Sequence, residues 1–359
     1  MPATSQIRPD RSLGHPKLRN SQPLNGSIRK NRNAVQCYAM AALLTIHLLA
    51  VVGCESQTQW QGKNQYPAYH IDQAHHYLEE GLTDSALAAF GLAIEENPKV
   101  TEAHLGMGHI YRQRGRYARA TRSYELATAL DPNSFDAHYF LGLTHQLTGQ
   151  LTDAVTMFLR SLVIDPGRHE ANYRLGSVYL QLGQPAEALP YAAQATRLDG
   201  QSQAAWANLG AAYSLLGQYE QAVEAYRQAN ELGEPEEPIL ASLADAQIKL
   251  GRYPLAISVL QRLIREGGDP IAHERLGYCH FKQRRYEQAR ASYQAALDID
   301  PDDTASLNGL GASLMTLYIQ DHHRDRVVYE RALRSWRRSV QLRNDQPRII
   351  DLIARYQRM

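Results

Sequence analysis

A 34-residue period runs through this chain. Pro98, Pro132, Pro166, Gly200, Glu234, Gly268 and Pro301 follow one another at that spacing, except for a last step of 33. Gly81, Gly115, Gly149, Gly183, Gly217 and Gly251 keep the same phase, as do Ala86, Ala120, Ala154, Ala188, Ala222 and Ala256. A period in this range marks a solenoid, whose units bury their apolar faces only by stacking on one another. The fold is therefore a row of small repeated motifs with no single central core.

The unit Thr101–Pro132 shows what each motif is. Leu105, Gly108 and Tyr111 share one helical stripe, and Tyr117, Ala120, Tyr124 and Ala127 share a second. Gly115 stands between them, where a helix closes its last turn with a left-handed residue. Asp131-Pro132 ends the second helix, because a residue before proline is pushed out of the helical region. Each unit reads as helix A, a tight turn, helix B and another tight turn. Gly108, Gly142, Gly176, Gly210, Gly277 and Gly311 recur at one phase inside helix A, with Ala74 and Ala244 in the other two units. A mid-helix glycine costs roughly 0.5–1 kcal/mol against alanine, so its recurrence implies close approach of the paired helices. Aromatics at Phe90, Tyr124, Phe158, Tyr226 and Tyr293 are expected to fill the space towards the next unit.

The fifth unit carries Trp206, Leu209-Gly210, Tyr213, Gly217, Ala222, Tyr226 and Ala229. This pattern resembles the tetratricopeptide repeat (TPR). The resemblance covers residues 67–344 and implies an all-α protein, an α-α superhelix of eight helix-turn-helix units. They begin at Pro67, Thr101, Phe135, His169, Gln203, Glu237, Pro270 and Thr304. Three units depart from the pattern. Unit six has Gln247 and Leu260 at aromatic positions, and its lead-in, Glu234-Pro235-Glu236-Glu237-Pro238, predicts a local bend. Unit seven has Arg284 at the turn glycine. Unit eight has about nine extra residues around Tyr318–Val328, predicted to project as longer helices or a loop. Residues 345–359 are expected to form a capping helix, with Ile349, Ile350, Leu352 and Ile353 over the end of the stack.

Ahead of the repeats, residues 1–33 are polar and read as a disordered basic leader. Arg29, Lys30 and Arg32 precede an apolar stretch within 34–54, the arrangement of an export signal. Its end, Val51-Val52-Gly53-Cys54, resembles the bacterial lipobox, which implies lipidation of Cys54. The same stretch is long enough to span a bilayer as an uncleaved anchor. Either way the basic flank stays in the cytoplasm, and the repeats hang outside it on a linker, 55–66. Glu55 after the cysteine, in place of the inner-membrane retention residue Asp, leans by resemblance to the outer membrane of a bacterial envelope, with the periplasm as the alternative.

The formal net charge of +1 gives no pull towards nucleic acid. Of three cysteines only Cys279 lies in the repeats, so no disulfide framework is expected there. Fourteen histidines include His70, His75, His76, His104, His109, His138 and His145. His75 and His109 share a phase and could stack across the inner face. No Glu or Cys joins them at ligand spacing, so they read as surface or tyrosine-replacing residues, with no metal or cofactor. The sequence holds no Gly-x-Ser-x-Gly, no phosphate loop and no His-Glu-x-x-His, so no catalytic residue is assigned. The C-terminal arginines, from Arg324 to Arg358, read as a solvated face or as a contact for anionic lipid, glycan or acidic protein.

Family arrays act through the groove lined by helix A. The matching positions give His75, His109, Arg112, Tyr139, Tyr173, Gln181, Tyr278, Phe281 and Lys282 as candidate partner-binding residues. Such a mixed surface suits an extended peptide or a partner helix. The Lys and Asn pattern of the chaperone-type clamp is missing. The expected function is a non-enzymatic, membrane-tethered scaffold or adaptor for cell-envelope assembly or secretion. One alternative is the accessory region of a glycosyltransferase-type enzyme, which the short stretch after the last repeat disfavours. Another is a self-assembling structural scaffold, a homo-oligomer built through repeat ends.

Overall fold

The computed structural model describes residues 67–234, 236–267 and 270–358. The expectations for the leader 1–33, the apolar stretch 34–54 with Cys54, and the linker 55–66 lie outside the described residues. Every described element is a helix or a turn. The A helices are α1 (67–79), α3 (Thr101–Gln113), α5 (Phe135–Leu147), α7 (His169–Gln181), α9 (Gln203–Leu215), α11 (Glu237–Lys249), α13 (Pro270–Lys282) and α15 (Thr304–Gln320). The B helices are α2 (Thr83–Glu96), α4 (Tyr117–Leu130), α6 (Leu151–Ile164), α8 (Pro185–Leu198), α10 (Tyr219–Leu232), α12 (Tyr253–Arg265), α14 (Tyr286–Ile299) and α16 (Arg326–Leu342), and α17 (Pro347–Gln357) follows. From unit two onward the unit starts read from the period coincide with the starts of the A helices.

Each turn between helices A and B is closed by the same backbone bonds. Gly115, at φ +67, donates its N–H to Arg112, and Arg116 donates back to Tyr111 at 2.8 Å. This is the left-handed cap that satisfies the last carbonyls of a helix. Arg284 adopts the same conformation at φ 59, and Arg285 bonds back to His280 at 2.9 Å. The repeat geometry thus overrides the cost of a side chain at that position. The turn after helix B has its own lock. Asp131, Asp165, Asp199 and Asp300 are extended, and each carboxylate accepts the N–H two residues on, at 2.9–3.1 Å.

The recurrent glycines sit under aromatic rings. A Cβ at Gly210 would stand 2.7 Å from the Tyr226 ring of its own unit, and one at Gly277 would stand 2.8 Å from Tyr293. The rings also face the following unit, where Gly106 lies against Phe90 and Gly309 against Tyr293. In unit four the aromatic is replaced by Ala192, and the helices close directly, with a Gly176 Cβ 3.2 Å from the Ala192 backbone nitrogen.

Neighbouring A helices touch one another directly (α3 with α5, α5 with α7, α7 with α9, α9 with α11, α13 with α15), and B helices do not do so to the same degree. The A helices therefore line the inner face and the B helices the outer one. α9 and α11, which flank Glu234–Pro238, touch as α3 and α5 do. The repeat changes length one junction later, between α11 and α13. There α12 is one residue shorter than the other B helices before it, and the period drops to 33. In unit eight the extra residues lengthen both helices to 17 residues, joined by a turn with His322 and His323 at positive φ.

The cap helix α17 lays Ile349, Leu352, Ile353 and Tyr356 on the core of unit eight. Ile350 does not join them; it is 45 % exposed, because it lies across the helix from Leu352, at the margin of the apolar stripe. Gln346 pins the start of α17. Its amide nitrogen donates to Ser339 O at 2.9 Å and to Arg343 O at 2.8 Å, and its oxygen accepts from Asn308 at 2.7 Å.

Two glycines should respond oppositely to alanine. Gly210→Ala drives a methyl into the buried Tyr226 ring and should lower stability by about 1–3 kcal/mol despite the gain in helix propensity. Gly91→Ala, inside α2 with nothing within 4 Å, should raise it by up to about 1 kcal/mol. Urea unfolding of both variants checks the pair of signs.

Candidate functional site

The inner face begins with His75, whose Nε2 lies 3.0 Å from the Glu102 carboxylate of the next unit. His75 also meets Phe90 edge-on at 5.8 Å. His109 does not stack on it. Its ring is edge-on to Phe140 at 4.3 Å, and its Nδ1 shares a 2.9 Å hydrogen bond with the Tyr124 hydroxyl. The two histidines share a phase but are claimed by different neighbours.

Burial, reinforced by the Arg112 guanidinium, pushes the His109 imidazole down to about 4. It is therefore neutral at pH 7. Burial likewise pushes the Tyr124 phenol up to about 12. Arg112 lies 5.5 Å over the Phe140 ring, which continues to Tyr139 at 5.1 Å. His109, Arg112 and Tyr139 are thus joined into one aromatic and cationic surface by Phe140.

Tyr139 is also stacked on Phe135, one turn earlier in α5, at 5.7 Å and 13°. The next A helix repeats the arrangement: Tyr173 is stacked on His169 at 6.2 Å and 8°. Arginines sit on both pairs, Arg168 4.3 Å over Phe135 and Arg174 5.3 Å over Tyr173. All four rings are half-buried, with an edge open to solvent. Gln181, further along α7, is exposed and its amide donates to Ser177.

The remaining candidates lie three units away on α13. Exposed Tyr278 carries the Lys282 ammonium 5.7 Å from its ring. Phe281 turns away, meeting Tyr286 at 5.3 Å and packing on the core of unit eight. Beside them Asp245 of α11 and Arg275 of α13 form a 2.7 Å ion pair. Burial raises the Glu274 carboxyl, and the nearby Asp303 adds to the rise. Cys279 is buried, and its thiol is pushed up to about 12, chiefly by burial.

Two of the clustered histidines have a structural task. His104 and His138 direct Nε2 at the carbonyls of Pro98 and Pro132, at 3.3 and 3.1 Å. Asn172 and Trp206, at the same repeat position, donate to Pro166 O and Gly200 O. Three kinds of side chain make the same bond. Because the acceptor is a carbonyl, each imidazole carries its proton on Nε2. Among the described residues no group of three or more His, Cys, Asp or Glu side chains could hold a metal ion, and no helix is long and apolar enough to cross a membrane.

Sequence reasoning missed Phe135, His169 and Phe140. The first two were legible as aromatics four residues before Tyr139 and Tyr173, the spacing at which helix side chains meet. Phe140 replaces a residue that is glycine in unit two, Gly106, so the period itself concealed it.

Four stretches of the chain match models of the tetratricopeptide repeat: 108–149, 169–202, 204–232 and 242–304. Among solved structures, pilF of Pseudomonas aeruginosa is 20% identical with a TM-score of 0.50, over 57% of this chain and 94% of that one. A tetratricopeptide repeat protein of Parabacteroides merdae is 16% identical at a TM-score of 0.48, over 70% and 99%. YrrB, described as having an unusual peptide-binding site, is 22% identical at 0.40, over 61% and 96%. The likeness to pilF is one of fold. No curated protein matches the chain in sequence.

The state of His109 has a consequence for stability. The imidazole titrates near 4 when folded and near 6.5 when unfolded, so the unfolded chain takes up the proton first. The contribution is full above about 6.5 and is lost as pH falls towards 4, by up to roughly 3 kcal/mol. Urea unfolding at pH 7 and pH 4.5 should show a smaller difference for His109→Gln than for the unaltered chain.

Proposed function

This chain is a tetratricopeptide repeat protein, and from that premise we propose that its inner face holds an extended segment of a partner protein. The observation that carries this reading is the pair of stacked rungs, Phe135 on Tyr139 and His169 on Tyr173, at the same positions of successive A helices. Flat rings repeated along a channel offer apolar contact at intervals, while Gln181, Arg112 and Lys282 supply polar contacts to a peptide backbone or its charged side chains. Rungs already stacked lose little side-chain freedom on binding, which favours affinity.

The scaffold is non-enzymatic on this reading. Its most perturbed groups each have a packing role: His109 is hydrogen-bonded to Tyr124, Tyr124 covers Gly108, and Cys279 fills the core. We further propose that the repeats are tethered to a membrane outside the cytoplasm and serve an envelope assembly or secretion machine. What supports the tether is the run Val51-Val52-Gly53-Cys54 behind a basic and apolar stretch. A lipidated cysteine with more than one acyl chain meets the requirement for stable anchoring.

Crosslinking in cells, followed by identification of the captured proteins, tests the channel. Tyr139→Ala with Tyr173→Ala should weaken capture about ten-fold, since aromatic contacts contribute roughly 0.5–1.5 kcal/mol each. Undiminished capture by a variant that still unfolds cooperatively would sink the channel reading. For the tether, mass spectrometry should find a mature chain beginning at diacylglyceryl Cys54; an unmodified Cys54 within an uncleaved chain overturns lipidation.

A further inference from the structure

Helix α16 carries five arginines, Arg326, Arg331, Arg334, Arg337 and Arg338, against a single acid, Glu330. The whole chain has a formal net charge of only +1. Arg331, Arg334 and Arg338 recur at helical spacing and so line one edge of α16 over about 10 Å. That edge walls a cleft of about 390 Å³ on the outer face of units seven and eight. Gln294 of α14 stands opposite, and Leu297, Pro301 and Leu307 lie beneath. A second hollow continues past Arg337 to Leu342.

Three of the arginines are engaged. Arg338 pairs with Asp302 at 2.7 Å, Arg326 approaches Glu330 at 4.0 Å, and Arg331 donates to Gln294 at 3.3 Å. Two are not. Arg334 reaches only a carbonyl of its own helix, that of Glu330, at 3.4 Å, and Arg337 has no hydrogen bond or ion pair among the described residues. Neither contributes to the fold, and the repeat period does not require them.

We propose that this cleft is a second docking site, on the face opposite the channel, for an acidic extended segment of a partner protein. Guanidinium forks bind carboxylates through two parallel bonds. Alternate residues of an extended chain lie about 6.6 Å apart on one side, close to the rise of about 6 Å between Arg334 and Arg338 along the helix. Acids at alternate positions would meet the arginine wall, while the residues between them lie over Leu297 and Pro301. The concavity favours such a segment over a membrane, because a flat layer of headgroups touches the rim of a cleft and leaves its apolar floor uncovered.

Fluorescence anisotropy of the full chain with a labelled peptide of alternating Asp and Leu tests the site. The peptide should bind, more weakly as salt is raised. Arg334→Ala with Arg337→Ala should weaken it about ten-fold or more, with thermal unfolding unchanged because both side chains are exposed. Arg326→Ala, and the channel variant Tyr139→Ala with Tyr173→Ala, should leave it as it was, which separates this site from the channel. Absence of binding, or binding indifferent to the two arginines, overturns the proposal. So does the case in which vesicles of phosphatidylcholine and phosphatidylserine, and not the peptide, are what the two substitutions release.

Discussion

The contact between a helix-B ring and a helix-A glycine sets the geometry of the whole array. Tyr124 against Gly108, Tyr226 against Gly210 and Tyr293 against Gly277 hold the two helices of a unit at one separation. Because Phe90 and Tyr293 also face the next unit, at Gly106 and Gly309, the same contact fixes the step between units. A ring that touches both its own unit and the following one couples local pairing to propagation. That is why the array is cooperative over neighbours and indifferent to residues further away. Unit four keeps the pairing without a ring, by bringing Gly176 onto the Ala192 backbone, so the constraint is one of separation and the aromatic is one way of meeting it.

The fold was almost wholly legible for the same reason. A constraint repeated every 34 residues leaves a glycine, an alanine and a ring at fixed phases, and the helix starts could be read directly from it. What escaped were events that the period averages away. The shorter α12 is one of them, a change of length visible only as a step of 33. Ile350 is as apolar as its neighbours, yet it stands a quarter turn or more round the helix from Ile349 and Leu352 and stays outside the cap contact.

The inner face was less legible, because a groove position is defined by phase while its surface is defined by neighbours. Tyr139 and Tyr173 could be placed, yet the rings that orient them, Phe135 and His169, sit at positions the family pattern leaves unspecified. Phase also misled about His75 and His109. They occupy equivalent places, but Glu102 takes one and Phe140 with Tyr124 takes the other. Phe281 has the phase of a groove residue, and the longer unit that follows draws it into the core.

The histidines show how one residue type divides among roles once the array is formed. His104 and His138 substitute for the Trp206 indole and bond a carbonyl six residues back, so their chemistry is spent on the turn between units. His109 is kept neutral by burial and is hydrogen-bonded to Tyr124. At the start of the array His75 and His76 stay open to solvent and lie beside the carboxylates of Glu102 and Glu80. Abundance of a reactive side chain therefore carries no functional weight in a repeat protein until its place in the repeat is known. The same reasoning applied to arginine gives the opposite result. Arg338 bonds across a unit boundary as a structural residue would, whereas Arg334 and Arg337 bond to nothing that the repeat needs, and they belong to a run of five arginines on the one helix α16.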